Sequence, residues 1–79
     1  MTDLKETLHG LACAIVDHPD DVVVTEGGVS GKEITLILSV AESDMGMVIG
    51  KNGKIAKAIR TVMKAAAATD GKRVNVEIR

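Results

Sequence analysis

The chain has 79 residues, 46% of them hydrophobic, and a formal net charge of −1. The length suits one small domain and the apolar fraction argues against disorder, so we expect a single domain over residues 1–79. The absence of Phe, Tyr and Trp excludes a nucleic-acid-binding sheet that stacks bases on aromatic rings. The lone Cys13 excludes an internal disulfide and fits a reducing cytoplasm, and no apolar run approaches the length of a membrane span.

The N-terminal segment predicts a helix. Thr2 and Asp3 can cap its start, with Glu6 in the first turn. Apolar residues then recur at helical spacing as far as Val16. We expect the helix to end at His18-Pro19, because the residue before a proline disfavours helical backbone angles.

Two strands are predicted next. The β-branched run 22–25 predicts the first, and the segment 26–33, which contains three glycines, predicts a hairpin connection. Residues 34–40 alternate in polarity and predict the second strand, with one face packed on helices and the other mostly solvated. The residues expected on the packed face are Ile34, Leu36, Leu38 and Val40.

The second half of the chain predicts two helices and a third strand. Ser43 or Asp44 can cap a short helix over 45–49, and a long helix is expected from residue 54 to about residue 69. Asp70-Gly71 ends it with a glycine stop, and residues 73–78 alternate as a strand. The predicted apolar stripe of the long helix is Ile55, Ile59, Val62, Met63 and Ala66. The fold class is therefore α+β, with a three-stranded sheet covered by three helices on one face.

The most distinctive segment is 48–55, with the sequence VIGKNGKI. Gly50 and Gly53 flank two polar residues at the predicted start of the long helix. Glycine leaves room for close approach and accepts unusual backbone angles, while the free amides at a helix start favour negative charge. Lys51 and Lys54 add positive charge, so the segment predicts a site for a phosphate backbone.

This segment resembles the KH-domain signature Val-Ile-Gly-x-x-Gly-x-x-Ile, with the last isoleucine at position 55 and Ala56 where the pattern expects it. The whole chain is similar to the small bacterial single-KH RNA-binding proteins of the KhpA type. The resemblance implies a type II KH domain, of order α-β-β-α-α-β, whose Gly-x-x-Gly loop clamps the backbone of about four single-stranded nucleotides.

The charge distribution supports this interpretation. Residues 1–49 carry two cations and nine acids, whereas residues 50–79 carry eight cations and two acids. The glycine loop thus lies in a basic half of a nearly neutral chain. The candidate RNA-binding residues from motif and charge are Val48, Ile49, Gly50, Lys51, Asn52, Gly53, Lys54, Lys57 and Arg60, with Lys64 further along the same helix.

The resemblance also implies an apolar groove for the bases. Ile55 or Ala58 would contribute to its floor, and backbone groups of residues 74–76 would form its far wall. For the apolar candidates, including Val48, plain core packing is an equally good interpretation.

The leading hypothesis is a module for single-stranded RNA with low sequence specificity, acting in post-transcriptional control or as an RNA chaperone. The resemblance implies a homodimer, or a heterodimer with a larger KH-containing protein. The alternative is a protein-interaction module, favoured by the small residues 65–68 on the long helix. DNA stays open as a ligand because no residue visibly reads a 2′-hydroxyl. We expect no enzyme activity, metal, cofactor or membrane association, because no set of residues assembles such a site.

Overall fold

The computed structural model describes residues 3–79. Six regular elements follow one another in the order predicted, helix, strand, strand, helix, helix, strand, which confirms the α+β fold class. They are α1 (Leu4–Ile15), β1 (Val23–Ser30), β2 (Glu33–Ser39), α2 (Met45–Ile49), α3 (Lys54–Ala68) and β3 (Arg73–Ile78). Short 3-10 turns at Pro19–Asp21, Glu42–Asp44 and Lys51–Gly53 connect them.

The sheet has the strand order β1-β2-β3, with β1 antiparallel to β2 and β3 parallel to β2. The parallel step is possible because α2 and α3 carry the chain back across the sheet between those two strands. β3 is an edge strand, and its outer side is open to a ligand or partner.

One apolar core joins the sheet to the helices. From β2 and β3 it takes the alternating residues Leu36, Leu38, Val74 and Val76, which confirms the packed face predicted for the second strand. Opposite them, in the same cluster, are Leu4, Leu8, Ala12, Val48, Ile59, Met63 and Ala67 from the three helices. None of the helices within residues 3–79 combines the length and apolar character needed to cross a membrane.

The start of α1 follows the prediction and its end does not. The Asp3 carboxylate accepts a hydrogen bond from the Glu6 amide at 3.2 Å, so Asp3 is the cap. Thr2 lies outside the described residues. The helix ends at Ile15, with Val16 already extended, rather than at His18-Pro19.

The hairpin connection predicted within 26–33 is confirmed, but it is shorter than predicted. β1 continues to Ser30, and only Gly31 and Lys32 form the turn to β2. The pairing register shifts between Glu26 and Gly28, which is a β-bulge at Gly27. A glycine inside a strand often marks a bulge, and here Gly27 and Gly28 both lie within β1.

The apolar stripe predicted for α3 was partly wrong. The buried row is Ala56, Ile59, Met63 and Ala67, spaced three or four residues apart. Ile55 and Val62 are instead 38% and 47% exposed. The predicted stripe is displaced around the helix because two of the core positions are filled by the small residues Ala56 and Ala67.

The end of α3 matches the predicted glycine stop. Gly71 has a φ of 67°, its amide donates to the Ala68 carbonyl, and the Lys72 amide donates to the Ala67 carbonyl. These two hydrogen bonds form a Schellman motif. It turns the chain at once into β3, so that β3 runs back along α3 towards the glycine loop.

Candidate nucleic-acid interface

The loop between α2 and α3 is built from unusual backbone angles. Gly50, Asn52 and Gly53 all have positive φ, at 74°, 58° and 73°. The Gly50 amide ends α2 by donating to the Gly46 carbonyl, and the Gly53 amide donates to the Gly50 carbonyl at 3.2 Å. Asn is among the few non-glycine residues that tolerate this region. The motif therefore forms a tight exposed turn.

The two glycines of the motif are required for different reasons. A Cβ on Gly50 would lie 2.9 Å from the backbone nitrogen of Ile55, so a side chain there would collide with the start of α3. A Cβ on Gly53 would have no heavy atom within 4 Å. Gly50 thus lets the two helices approach each other, whereas Gly53 keeps the outer surface of the turn clear for an incoming backbone.

α2 is held in place by buried residues beneath it. The Val48 side chain is fully buried, so it supports the loop from the core and any contribution to binding is indirect. Met47 and Ile49 are 41% and 39% exposed, and they place apolar surface beside the turn.

Asp44 contributes to this support in a way that sequence reasoning missed. Asp44 and Ser43 were predicted as caps for α2, but neither makes a side-chain cap. Asp44 is only 1% exposed. Its Oδ2 accepts from the His18 amide at 2.9 Å and lies 3.1 Å from Nδ1 of the His18 ring. The carboxylate ties the end of the α1 region to the start of α2, and a partner 26 residues away left no signal in the local sequence.

The start of α3 has the features of an anion site. No side chain caps it, because the preceding residue is Gly53. The amides of Gly53 and Lys54 donate to the Gly50 and Lys51 carbonyls instead. The positive end of the helix dipole lies at this start, and Lys51 and Lys54 are exposed beside it. Residues 45–69 contain five cations and no acid, so the field at this end of the molecule favours a polyanion.

The exposed residues of α3 form two different flanks. Lys57, Arg60 and Lys64 are all exposed and share one flank by their spacing of three and seven residues. Ile55 and Val62, also seven residues apart, lie on the other side of the helix, since two residues correspond to a rotation of about 200°. The structure thus separates Ile55 from these three cations, and Ala58 lies on the side of the apolar flank.

The cationic flank of α3 faces β3. Arg60 Nε donates to the Val76 carbonyl at 3.3 Å. The Arg73 amide donates to the Lys32 carbonyl and the Arg79 amide to the Leu38 carbonyl, so odd-numbered residues of this segment face β2. The backbone N–H and C=O groups of Val74 and Val76 therefore point to the open edge. The outer edge of β3 therefore presents the backbone groups of Val74 and Val76, and Arg60 is hydrogen-bonded to the carbonyl of Val76.

The sequence profile of the KhpA/KhpB KH domain matches residues 5–78. The chain belongs to this family. The family is non-enzymatic, in agreement with the expected lack of catalytic activity.

Two relatives illustrate the similarity. RNA-binding protein KhpA of Clostridium acetobutylicum is 57% identical over 76 residues, covering 95% of this chain and 99% of the relative. RNA-binding protein KhpA of Bacillus subtilis is 46% identical over 80 residues, covering 99% and 98%.

A solved structure shows the same fold in a larger protein. The crystal structure of Aquifex aeolicus Era bound to GDP and AlF4⁻ matches with a TM-score of 0.72 at 20% identity, covering 95% of this chain. The chain spans 29% of that protein. At this identity the likeness concerns the fold alone.

Proposed function

We propose that the chain is a single KH module that binds single-stranded RNA, holding about four nucleotides against the loop Gly50-Lys51-Asn52-Gly53. The observation that carries the proposal is the loop itself, an exposed turn with an open outer surface at Gly53, next to the uncapped start of α3. The names of the relatives support RNA as the ligand.

Seven of the nine candidate residues contact the RNA in this proposal, while Val48 and Gly50 support the loop. Phosphates lie against the open outer surface at Gly53 and the positive end of the α3 helix dipole, with Lys51 and Lys54 supplying charge. Asn52 donates to a phosphate or sugar oxygen. Lys57 and Arg60 contact the phosphates of the RNA further along α3. The bases reach the exposed Ile49 and the open edge of β3.

Sequence specificity is low in this mechanism. Most contacts go to the phosphate backbone, which carries no base information. Affinity should therefore fall with salt, with a slope of about −0.7 per phosphate contact for a single strand. A module of this kind acts in the cytoplasm, in post-transcriptional control or as an RNA chaperone.

The test compares the native chain with the double variant Lys51→Asp, Asn52→Asp in fluorescence-anisotropy binding to pools of four-nucleotide RNA. A matched control, Ser30→Asp with Lys32→Asp, makes the same change of charge on the exposed β1–β2 turn. Circular dichroism checks that all three fold alike. The loop variant should lose binding and the control should keep it; equal binding by all three would remove the basis of the proposal. A DNA oligonucleotide of the same length, added as a competitor, tests whether DNA also binds.

A second proposal concerns self-association through the apolar flank of α3. Exposed Ile55, Ala58, Val62 and Ala65 are spaced three, four and three residues apart, the spacing of a helix seam that packs on a second helix. We infer that this seam binds a second copy of the chain or a larger KH-containing protein. Two linked modules would bind RNA more tightly than one.

Analytical ultracentrifugation tests the seam. Val62→Glu should shift the chain to the monomer, because it places a charge at the centre of an apolar contact. Thr61→Glu, exposed on the same helix but outside the seam, should not. A native chain that stays monomeric at high micromolar concentration would exclude the homodimer.

A further inference from the structure

A pocket lies at the end of α3 that is distant from the glycine loop. It has a volume of about 420 Å³ and is formed between the last turns of α3 and the first residues of β3. Neither the loop nor the first turn of α3 contributes to it, so it is separate from the clamp described above.

The chemistry of this pocket fits a nucleotide. Lys64, Lys72 and Arg73 line it with positive charge, against the single carboxylate of Glu33. That carboxylate accepts a hydrogen bond from the Asn75 side-chain amide at 3.0 Å, which orients the amide. The side-chain oxygen of Asn75 can then accept a hydrogen bond from the edge of a base.

The remaining walls of the pocket are apolar. Ala68 and Val74 form them, on α3 and on β3. A base requires an apolar surface for its face, and a phosphate requires cations, so this combination suits a nucleotide better than it suits a small inorganic anion.

The pocket continues the line of the proposed RNA site. Lys64 is ten residues after Lys54, which corresponds to roughly 15 Å along the helix. Lys57 and Arg60 occupy the same flank between them, and β3 lies beside this flank at Arg60 and at Lys64. A strand leaving the clamp along α3 would therefore reach the pocket without leaving basic surface.

We propose that this pocket holds a further nucleotide of the strand that the clamp binds, so that the footprint on one chain exceeds the four nucleotides of the clamp. The proposal rests on the proposed function of the glycine loop. It assigns Lys64, Lys72 and Arg73 to the phosphates of the added nucleotides and Asn75 to a base edge.

The experiment measures binding of four- and eight-nucleotide oligouridine by fluorescence anisotropy over a range of salt concentrations. The pocket variant is Lys72→Ala with Arg73→Ala. The charge-matched control is Lys5→Ala with Lys32→Ala, which removes two exposed cations outside the pocket. A second pocket variant, Lys72→Gln with Arg73→Gln, replaces the first if circular dichroism shows that it is unfolded.

The expected result depends on RNA length. For the native chain, the salt slope should be steeper for eight nucleotides than for four by about 0.7 for each added phosphate contact. The pocket variant should lose this difference, and its affinity for eight nucleotides should fall about tenfold, while its affinity for four nucleotides stays within twofold. The control should keep the difference. Extra binding registers on the longer RNA raise affinity but not the slope, so they do not imitate this result.

Two outcomes would overturn the proposal, and they are distinct from failure of the clamp. If the pocket variant keeps the native slope difference, the pocket does not hold RNA although the clamp does. If instead the variant loses binding to an oligoglutamate peptide and keeps both RNA affinities, the pocket is a protein site. Failure of the clamp itself would appear as a native chain that binds neither RNA length.

Discussion

Two segments of this molecule are rich in glycine, and only one of them has the features of a binding site. In the β1–β2 hairpin, Gly27 lies against the side chains of Ile37 and Thr35, where a Cβ would come within 3.1 to 3.3 Å of their ends. In the loop after α2, Gly50 lies against the backbone of α3 and Gly53 against open space. The first segment uses glycine to improve packing within a sheet, whereas the second uses it to expose a backbone.

The charges near the two segments differ in the same direction. The hairpin carries Glu26 and Glu33 around the single cation Lys32, while the loop carries Lys51 and Lys54 and has no acid nearby in the sequence. Glycine content alone therefore does not identify a phosphate site. Glycine with positive φ, open space and an unbalanced positive charge does.

The largest effect is expected from a side chain at Gly50. Gly50→Ala places a Cβ 2.9 Å from the Ile55 nitrogen and forces alanine to a φ of 74°. The Cβ would also meet Cγ1 and Cβ of Ile55, but a rotamer change moves only Cγ1, so the overlap with the Ile55 nitrogen and Cβ remains. We expect a loss of about 2 to 4 kcal/mol in the free energy of unfolding, from strain and overlap together. Thermal unfolding followed by circular dichroism measures it, and a loss below about 0.5 kcal/mol would contradict the structure of the loop.

The next effect concerns the buried carboxylate beneath the loop. Asp44→Ala leaves the His18 amide without its acceptor, and we expect a loss of about 1 to 3 kcal/mol in urea denaturation. The hairpin offers a matched control, because Glu33 also accepts a long-range hydrogen bond, from Asn75, but on the exposed surface. Glu33→Ala should cost less than about 0.5 kcal/mol. Equal losses in the two variants would mean that burial does not distinguish these two carboxylates.

A third experiment separates backbone strain from ligand access. Gly53 and Gly31 have φ values of 73° and 59°, and in both cases an added Cβ would meet no atom within 4 Å. Gly53→Ala and Gly31→Ala should therefore each cost about 1 kcal/mol in stability. Only the first should weaken RNA binding, since its Cβ projects where the phosphate backbone approaches. Parallel anisotropy titrations with four-nucleotide RNA measure this, and equal affinities in the two variants would place the ligand away from the turn.

Much of the fold follows from local patterns in the sequence. Asp3 as a cap, the alternation in β2 and the glycine stop at Gly71 act over a few residues, and each was predicted correctly. The motif 48–55 and the positive charge after it also indicate the loop as the candidate site from the sequence alone.

The errors arose where distant contacts decide. The bulge at Gly27 depends on side chains of β2, and the role of Asp44 depends on His18, which local periodicity cannot reveal. The buried face of α3 was predicted incorrectly because Ala56 and Ala67 lie in the core, whereas the more hydrophobic Ile55 and Val62 are exposed. The pocket at Lys64 and Arg73 requires the end of α3 and the start of β3 to be packed together, which the sequence order alone does not show.

The smallest effect is expected at Gly27 in the hairpin, and it tests whether this glycine is less constrained than Gly50 in the loop. Gly27→Ala brings a Cβ near Ile37 Cδ1, Ile37 Cγ1 and Thr35 Cγ2. These are side-chain ends that can move by a few tenths of an ångström, and φ at Gly27 is not positive. We expect a loss below about 1 kcal/mol in thermal unfolding and unchanged RNA affinity. A loss as large as that of Gly50→Ala would show that the bulge is as tightly constrained as the loop, and the distinction between the two glycine segments would then rest on charge and exposure alone.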